Sequence, residues 1–196
     1  MKEAGLPPAD IDHFGFSFDP VARKKRYRAE WWEPKFEETF TLRMGQVQGV
    51  AEELLGRSLR QKFHFVSHHL AHAASAYFPS GFDRAAILSI DGIGETAGSS
   101  LAKAAGDRIQ FVEDFDYPNS IGFLWEVLSS YLGFSHYDAS KVMGLAAYGN
   151  PEVYRREFAT ILRVGKDDYS IRPGLLGLNT AKFDWLEKTF GTTRFE

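Results

Sequence analysis

Cysteine is absent from this chain of 196 residues, which excludes disulfides and thiolate ligands, so any bound metal must be held by nitrogen and oxygen atoms. A large charge of one sign is missing as well. The formal net charge of −3 gives no broad attraction to nucleic acid or to anionic lipid, and we expect neither as a partner. No apolar run approaches the roughly 20 residues that span a bilayer, and no signal peptide is recognisable, so we expect a cytoplasmic location.

The hydrophobic content of 44% is enough to bury a core, in one domain or two small lobes. Residues 1–8 resemble the last turn of a helix that prolines stop, so we expect the chain to be a piece of something longer. Alternating aromatics in 13–18 predict a strand with one buried face. The basic run at 23–28 is interpreted as a solvated loop in preference to an anion site. Apolar residues at helical spacing over 36–55 predict a long amphipathic helix whose apolar stripe lies in the core.

Further along the chain the pattern is strand, strand, strand and helix, which is typical of an α/β or α+β lobe. The run 85–91 is nearly all apolar and predicts a strand buried on both faces. Ser120 is predicted to cap a helix that ends near Leu132. The remaining predictions are a strand at 63–66, a hairpin of 99–103 with 108–115, and a short helix at 183–186.

Three histidines lie within five residues, at His68, His69 and His72. On a helix, His68 and His72 lie on one face and are close enough to share an ion. His69 points about 100° away and is the weaker ligand candidate. A plain cluster of core or capped histidines is the alternative interpretation. A buried carboxylate at the end of the next strand, Asp91, needs a partner. Its position favours a metal site of His68, His72 and Asp91 and leaves the plain histidine cluster open.

The segment Asp91-Gly92-Ile93-Gly94-Glu95 admits two interpretations. It is either an ordinary turn, in which the glycines supply positive φ, or a loop in which Gly92 and Gly94 let backbone N–H groups approach a phosphate. The charge of Glu95 opposes the second interpretation unless a metal or a basic residue offsets it.

A third element, Lys141-Val142-Met143-Gly144, also admits two interpretations. Lys141 either extends from a helix into solvent or provides a point charge for a phosphate, with Gly144 allowing close approach of the backbone.

These blocks together resemble the carbamoyltransferases of the nodulation-factor and antibiotic-tailoring kind, which belong to the actin-like ATPase superfamily. The resemblance covers roughly residues 1–150 and rests on three blocks in the right order, with weaker similarity at 117–122 and 131–134. The three blocks are HHLAHAASAY at 68–77, DGIGE at 91–95 and KVMGLAAYG at 141–149.

The resemblance implies a fold and a reaction. The fold is an α/β actin-like ATPase fold of RNase H-like lobes, here incomplete: 1–80 would be the end of the first lobe with the histidine helix, and 81–196 the front of the second lobe with a C-terminal extension. The reaction makes a carbamoyl-adenylate from carbamoyl phosphate and ATP and passes the carbamoyl group to a hydroxyl of a sugar or natural product. These small molecules are the expected partners, and a homodimer is left open.

In that family a divalent ion, often iron, is held by two histidines and an aspartate, roles that fall here on His68, His72 and Asp91. We assign catalytic roles to His69, as a base for the acceptor hydroxyl, and to Lys141. Nucleotide contacts are expected at Gly92, Gly94, Glu95, Ser120 and Gly144. Two other functions remain open: a non-catalytic remnant that acts as an interaction module, and another ATP-dependent enzyme of the same fold.

Overall fold

The computed structural model describes residues 5–26, 34–135, 137–172 and 183–192. Its strands are β1 (Phe14–Phe16), β2 (Phe63–Phe65), β3 (Arg84–Ile90), β4 (Ala97–Ala105), β5 (Arg108–Asp116), β6 (Leu162–Val164) and β7 (Tyr169–Ile171). Its helices are α1 (Pro20–Arg26), α2 (Pro34–Leu55), α3 (His68–Tyr77), α4 (Ile121–Tyr131), α5 (Ala139–Ala146), α6 (Arg155–Ile161) and α7 (Asp184–Phe190). The described residues form a mixed α/β structure of two compact units. None of the described helices has the length and the apolar character that crossing a membrane requires.

The first unit is built around α3. β1 and β2 pair in parallel, with Phe14 beside Phe63 and Phe16 beside Phe65, and β2 leads directly into α3. Ala73 and Tyr77, four residues apart on α3, pack on Ile87 of β3 and on small residues of β4. Ala73 and Tyr77 therefore mark the side of α3 that faces the core, and His68 and His72 lie on a neighbouring side of the helix.

The sheet order is β3-β4-β5. β4 and β5 are joined at Gly106, whose φ of 59° suits the tight turn that a two-residue hairpin requires, so the predicted hairpin is confirmed. β3 does not match its prediction of burial on both faces: Leu88 and Ile90 are 60% and 52% exposed. Burial alternates along β3, because α3 covers one face and no described element covers the other at these two residues.

The second unit has its own apolar core. Leu124 of α4, Ile161 of α6 and Ile171 of β7 are buried together, and aromatic residues of α7 pack against them. β6 and β7 form an antiparallel pair with Arg163 opposite Ser170. The predicted helix from Ser120 is confirmed as α4, and the short helix predicted at 183–186 is confirmed as α7.

Two predictions for the first half of the chain are wrong in part. The long helix exists as α2, and Phe40 in its first half packs on Phe18. Val50 and Leu54 of its apolar stripe are 52% and 82% exposed, so at these two positions the stripe is not covered and does not lie in the core. The basic run is not a solvated loop over 23–26, because these residues belong to α1 and Arg23 is buried. Residues 1–4 and 27–28, part of two predicted segments, lie outside the described residues.

Candidate metal centre

Helix α3 brings two imidazoles together, as its spacing predicts. The Nε2 atoms of His68 and His72 are 3.1 Å apart, and the two rings meet edge to face with centroids 4.6 Å apart. His68 is partly buried and His72 is exposed, so the pair faces the surface rather than the core. The alternative of a purely structural core cluster therefore fits only His69, which is buried.

The ring of His68 is oriented by the backbone. Its Nδ1 lies 2.8 Å from the carbonyl oxygen of Ser17, and because a carbonyl only accepts, Nδ1 must carry the proton and donate. The Nε2 of the neutral ring then keeps its lone pair, directed towards His72. A backbone carbonyl that holds the far nitrogen is the usual partner of a metal-binding histidine. Phe18 adds a ring contact to His68, with centroids 6.5 Å apart.

Asp91 follows β3 directly and is held by hydrogen bonds on several sides. Its N–H donates to the carbonyl of Gly98 at 2.8 Å, and its Oδ1 accepts the N–H of Gly92 at 2.7 Å. The buried hydroxyl of Ser120 contacts the carbonyl oxygens of Asp91 and Gly92 and accepts the N–H of Phe123, which caps α4. The N-terminus of α4 therefore fixes the backbone that carries the Asp91 carboxylate.

Two glycines make this packing feasible. A Cβ at residue 122 would lie 2.5 Å from the carbonyl carbon and oxygen of Asp91. A Cβ at residue 98 would lie 2.8 Å from the Cβ of Ser120. Both distances are shorter than side chains tolerate, so only glycine lets α4 approach the Asp91 loop, and β4 approach Ser120, so closely. Sequence reasoning missed Gly98, because nothing in its immediate neighbours marks a close approach.

His68, His72 and Asp91 form the group of three metal-capable side chains among the described residues: each offers one ligand atom, and these atoms lie within 4.8 Å of one another. The donor set of two imidazole nitrogens and a carboxylate oxygen suits a divalent transition metal. Nitrogen atoms 3.1 Å apart can both lie about 2.1 Å from one ion. The three residues therefore fit the predicted ion.

Glu95 is expected to oppose a bound phosphate by its charge, but its carboxylate is hydrogen-bonded at the start of α3. It is buried, and its Oε1 accepts the backbone N–H of His68 at 2.9 Å and that of Asp19 at 2.8 Å. Its Oε2 accepts the hydroxyl of Ser67 at 3.3 Å. A carboxylate at the first N–H of α3 is favoured by the helix dipole, so Glu95 anchors the end of α3 that carries His68. A nucleotide contact of Glu95 stays a prediction.

Gly92 and Gly94 leave room for neighbouring atoms and do not adopt the positive φ that favours glycine. Neither Gly92 nor Gly94 has a positive φ, so the interpretation as an ordinary turn with left-handed glycines is wrong. A Cβ at residue 94 would lie 3.1 Å from Cδ2 of His69 and 3.3 Å from Cβ of His68. Gly94 therefore lets the loop lie directly against the start of α3.

A buried ion pair holds the same loop from its other side. Arg23 Nη2 and Glu37 Oε2 are 2.6 Å apart, and Arg23 Nη1 donates to the carbonyls of Gly94 and Glu95 at 3.3 and 2.9 Å. Only 2% and 7% of the Arg23 and Glu37 side chains is exposed. No local pattern announces this pair, because its members lie fourteen residues apart on different helices.

The remaining predicted residues are placed as follows. His69 is 4% exposed, on the side of α3 that faces Gly94. Lys141 lies on α5, where its Nζ is 3.0 Å from Asp138 Oδ1, and this hydrogen bond lowers the pKa of Asp138. Gly144 is inside α5, and within the described residues nothing lies within 4 Å of the place where a Cβ would be. Catalytic roles of His69 and Lys141, and nucleotide contacts of Gly92, Gly94, Ser120 and Gly144, stay predictions.

Comparison with known proteins adds a family. A family model described as the carbamoyltransferase N-terminus matches residues 1–190. Nodulation protein NolNO of Sinorhizobium fredii is 45% identical over 94 residues, which make up 48% of this chain and 14% of that protein. Nodulation protein NolO of Bradyrhizobium diazoefficiens is 39% identical over 94 residues, 48% of this chain and 17% of that protein. An uncharacterised protein of Synechocystis is 38% identical over 122 residues, 62% of this chain and 19% of that protein. The chain thus spans less than a fifth of each of these curated relatives.

Proposed function

The chain belongs to the carbamoyltransferase family through its N-terminal domain, and on that premise we propose that it carries the metal centre at which a carbamoyl group is transferred. The reaction is transfer from carbamoyl phosphate, through a carbamoyl-adenylate made with ATP, to a hydroxyl of a sugar or natural product. The observation that carries this proposal is the grouping of His68, His72 and Asp91 within 4.8 Å. The actin-like ATPase fold is part of the same proposal.

His68, His72 and Asp91 would hold the ion, with iron(II) as the expected metal. When bound, a divalent ion supplies Lewis-acid polarisation of phosphate and acyl oxygens. The chain's own residues provide orientation. Ser17 holds His68 in the tautomer whose Nε2 accepts, Glu95 fixes the first turn of α3, and the close packing at Gly122 keeps the backbone of Asp91 in place.

Two residues near the histidine pair bear on how a substrate could bind: Glu95 through its charge and His69 through its position. Two backbone N–H groups and a hydroxyl engage the carboxylate of Glu95, so these donors stabilise its charge at the start of α3. This arrangement weakens the conflict expected between Glu95 and an anionic substrate. The predicted base, His69, would have to reach an acceptor hydroxyl from a side of α3 that Gly94 covers.

The metal is tested on the anaerobically purified chain supplied with iron(II). We expect about one ion per chain in the wild type, and loss of at least 90% of it in the His68→Ala and His72→Ala variants, since each removal leaves two ligands. His64→Ala is the matched control: His64 also lies 2.9 Å from another histidine, His13, but this pair has no third metal-capable partner among the described residues. Equal iron in wild type and His68→Ala would contradict the site.

The transfer is tested separately. Carbamoyl-adenylate is supplied with a set of sugar and polyol acceptors, and the release of AMP is followed by chromatography. The iron-loaded wild type should release AMP at least tenfold faster than His68→Ala, while His64→Ala should match the wild type. Full metal binding without any acceleration would favour the non-catalytic interaction module.

A further inference from the structure

A cavity of about 590 Å³ lies in the second unit, where α6, β6 and β7 meet the segment before α4. Its size falls in the range of small-molecule sites, about 300–1,000 Å³. Arg163, Arg172, Ser170 and Asn119 are among its lining residues, and none of the lining residues is acidic. None of the residues of the proposed metal centre lines it, so the cavity is a separate feature.

The two arginines line the same cavity, one on β6 and one directly after β7. Leu162 lies opposite Ile171 and Arg163 lies opposite Ser170. Because side chains alternate along a strand, Arg163 and Ser170 share the face opposite to that of the buried Ile171. Arg172, the residue after β7, lines the same cavity. Diagonal neighbours across such a pair are about 7–8 Å apart, so two guanidinium groups can reach one ligand group between them.

The positive charge of these two arginines is not neutralised locally. Within the part of the chain that the structure describes, neither Arg163 nor Arg172 forms an ion pair with a carboxylate. The guanidinium of Arg172 lies over the ring of Trp185, 5.4 Å from its centroid, which limits its rotamers without removing its charge. Two like charges in the lining of one cavity repel each other, so an anion between them relieves the repulsion.

Asn119 adds a polar side chain to the lining of the cavity. Asn119 Oδ1 accepts the N–H of Ile171 at 2.9 Å, which leaves the Nδ2 group as the end of this side chain able to donate elsewhere. The hydroxyl of Tyr169 is 2.8 Å from the carbonyl of Asn119 and 2.9 Å from Ser99 Oγ. These bonds join β7 to the segment that carries Asn119.

We propose that this cavity, which we name the Arg163–Arg172 pocket, binds the phosphate group of a small phosphorylated metabolite. Two guanidinium groups can each form paired N–H···O bonds with phosphate oxygens, and Ser170 and Asn119 add neutral donors. An extended polyanion such as a nucleic acid is disfavoured, because the chain has a formal net charge of −3 and no broad basic face to follow a backbone.

The pocket is tested by titrating the ¹⁵N-labelled chain with glucose 6-phosphate and with inorganic phosphate, at constant ionic strength and with EDTA present so that the metal centre cannot contribute. Saturable shifts of the backbone amides of residues 170–172 are expected with both probes. Binding of glucose 6-phosphate identifies a site for a phosphate ester, whereas binding of inorganic phosphate alone identifies a site that takes only the free anion. Arg163→Gln and Arg172→Gln should each weaken binding at least tenfold. Arg156→Gln, on exposed α6 and outside the lining, removes the same charge and should change the dissociation constant less than twofold.

Arg163→Gln is the decisive variant, because among the described residues Arg163 makes no ring contact such as that of Arg172 with Trp185. An unchanged spectrum elsewhere shows that the variant is folded. Arg163→Lys keeps the charge and should fall between wild type and Arg163→Gln. Shifts that do not saturate, an equal loss in Arg156→Gln, or tighter binding of a DNA oligonucleotide than of glucose 6-phosphate would each overturn the proposal. Failure here leaves the proposed metal centre unaffected, since its iron content is measured independently.

Discussion

Replacing Arg23 by methionine should be among the most damaging single changes in the described chain. The side chain of methionine fills much of the same space, but it removes the guanidinium that binds both carboxylate oxygens of Glu37 and the carbonyls of Gly94 and Glu95. The carboxylate of Glu37 then stays buried without its counter-charge. Removing one partner of a buried ion pair costs about 3–5 kcal/mol.

The reverse variant, Glu37→Met, leaves a buried guanidinium and should cost a similar amount, about 3–5 kcal/mol. The double variant Arg23→Met/Glu37→Met removes both charges. What remains is mainly the loss of three hydrogen bonds: two from Arg23 to the carbonyls of Gly94 and Glu95 and one from the hydroxyl of Thr41 to Glu37, each worth about 1 kcal/mol. The double variant should therefore lose about 2–3 kcal/mol, at least 3 kcal/mol less than the sum of the single losses.

The measurement is urea-induced unfolding of the four proteins, followed by circular dichroism at 222 nm. If a single variant is already unfolded in buffer while the double variant is folded, the result also shows that the double variant loses less stability than the single one. The control is the exposed pair Glu152–Arg155, whose side chains are 63% and 67% exposed, and its loss should leave the urea midpoint unchanged. Additive losses in the buried pair would refute the reasoning, because they would mean that the two charges do not compensate each other.

Three further predictions concern packing, capping and pH. Gly122→Ala should destabilise the chain by about 1–3 kcal/mol in thermal unfolding, because its Cβ would overlap the backbone of Asp91, whereas Gly144→Ala, with open space around it, should stabilise α5 slightly; equal effects would contradict the close approach. Glu95→Gln should lower the stability to urea by about 1 kcal/mol through a weaker cap on α3. Burial raises the pKa of Tyr169, so stability should fall as pH rises above about 10, and Tyr169→Phe should flatten that fall.

Local chemistry accounts for the parts of the site that were predicted. The four-residue spacing of His68 and His72 places them on one helical face wherever that helix packs, because the period of an α-helix is a property of the backbone. Ser120 was predictable as a cap for the same reason, since its hydroxyl needs only the N–H groups of the next turn. The hairpin at Gly106 required only a residue that tolerates a positive φ.

Exposure was less predictable than periodicity. The apolar stripe of α2 is present at the expected positions, yet Leu54 is 82% exposed, and Leu88 of the apolar strand β3 is 60% exposed. A pattern states which face of an element is apolar, but whether that face is covered depends on its neighbours in space. The burial of Arg23 is the converse: a charged residue in a basic run lies inside because Glu37 lies beside it.

The sequence by itself determined the histidine pair, the strand that ends at Asp91 and the family to which these motifs belong, because each depends on residues close together in the chain. Only the tertiary structure decided that a ligand atom of Asp91 lies within 4.8 Å of those of both histidines, that Glu95 caps the histidine helix, and that Arg163 and Arg172 share a cavity. The first two are contacts between segments far apart in the chain, and the third depends on how β6 and β7 pair. The position of the Asp91 backbone also depends on the space that Gly122 leaves for it, and no local pattern records that distance.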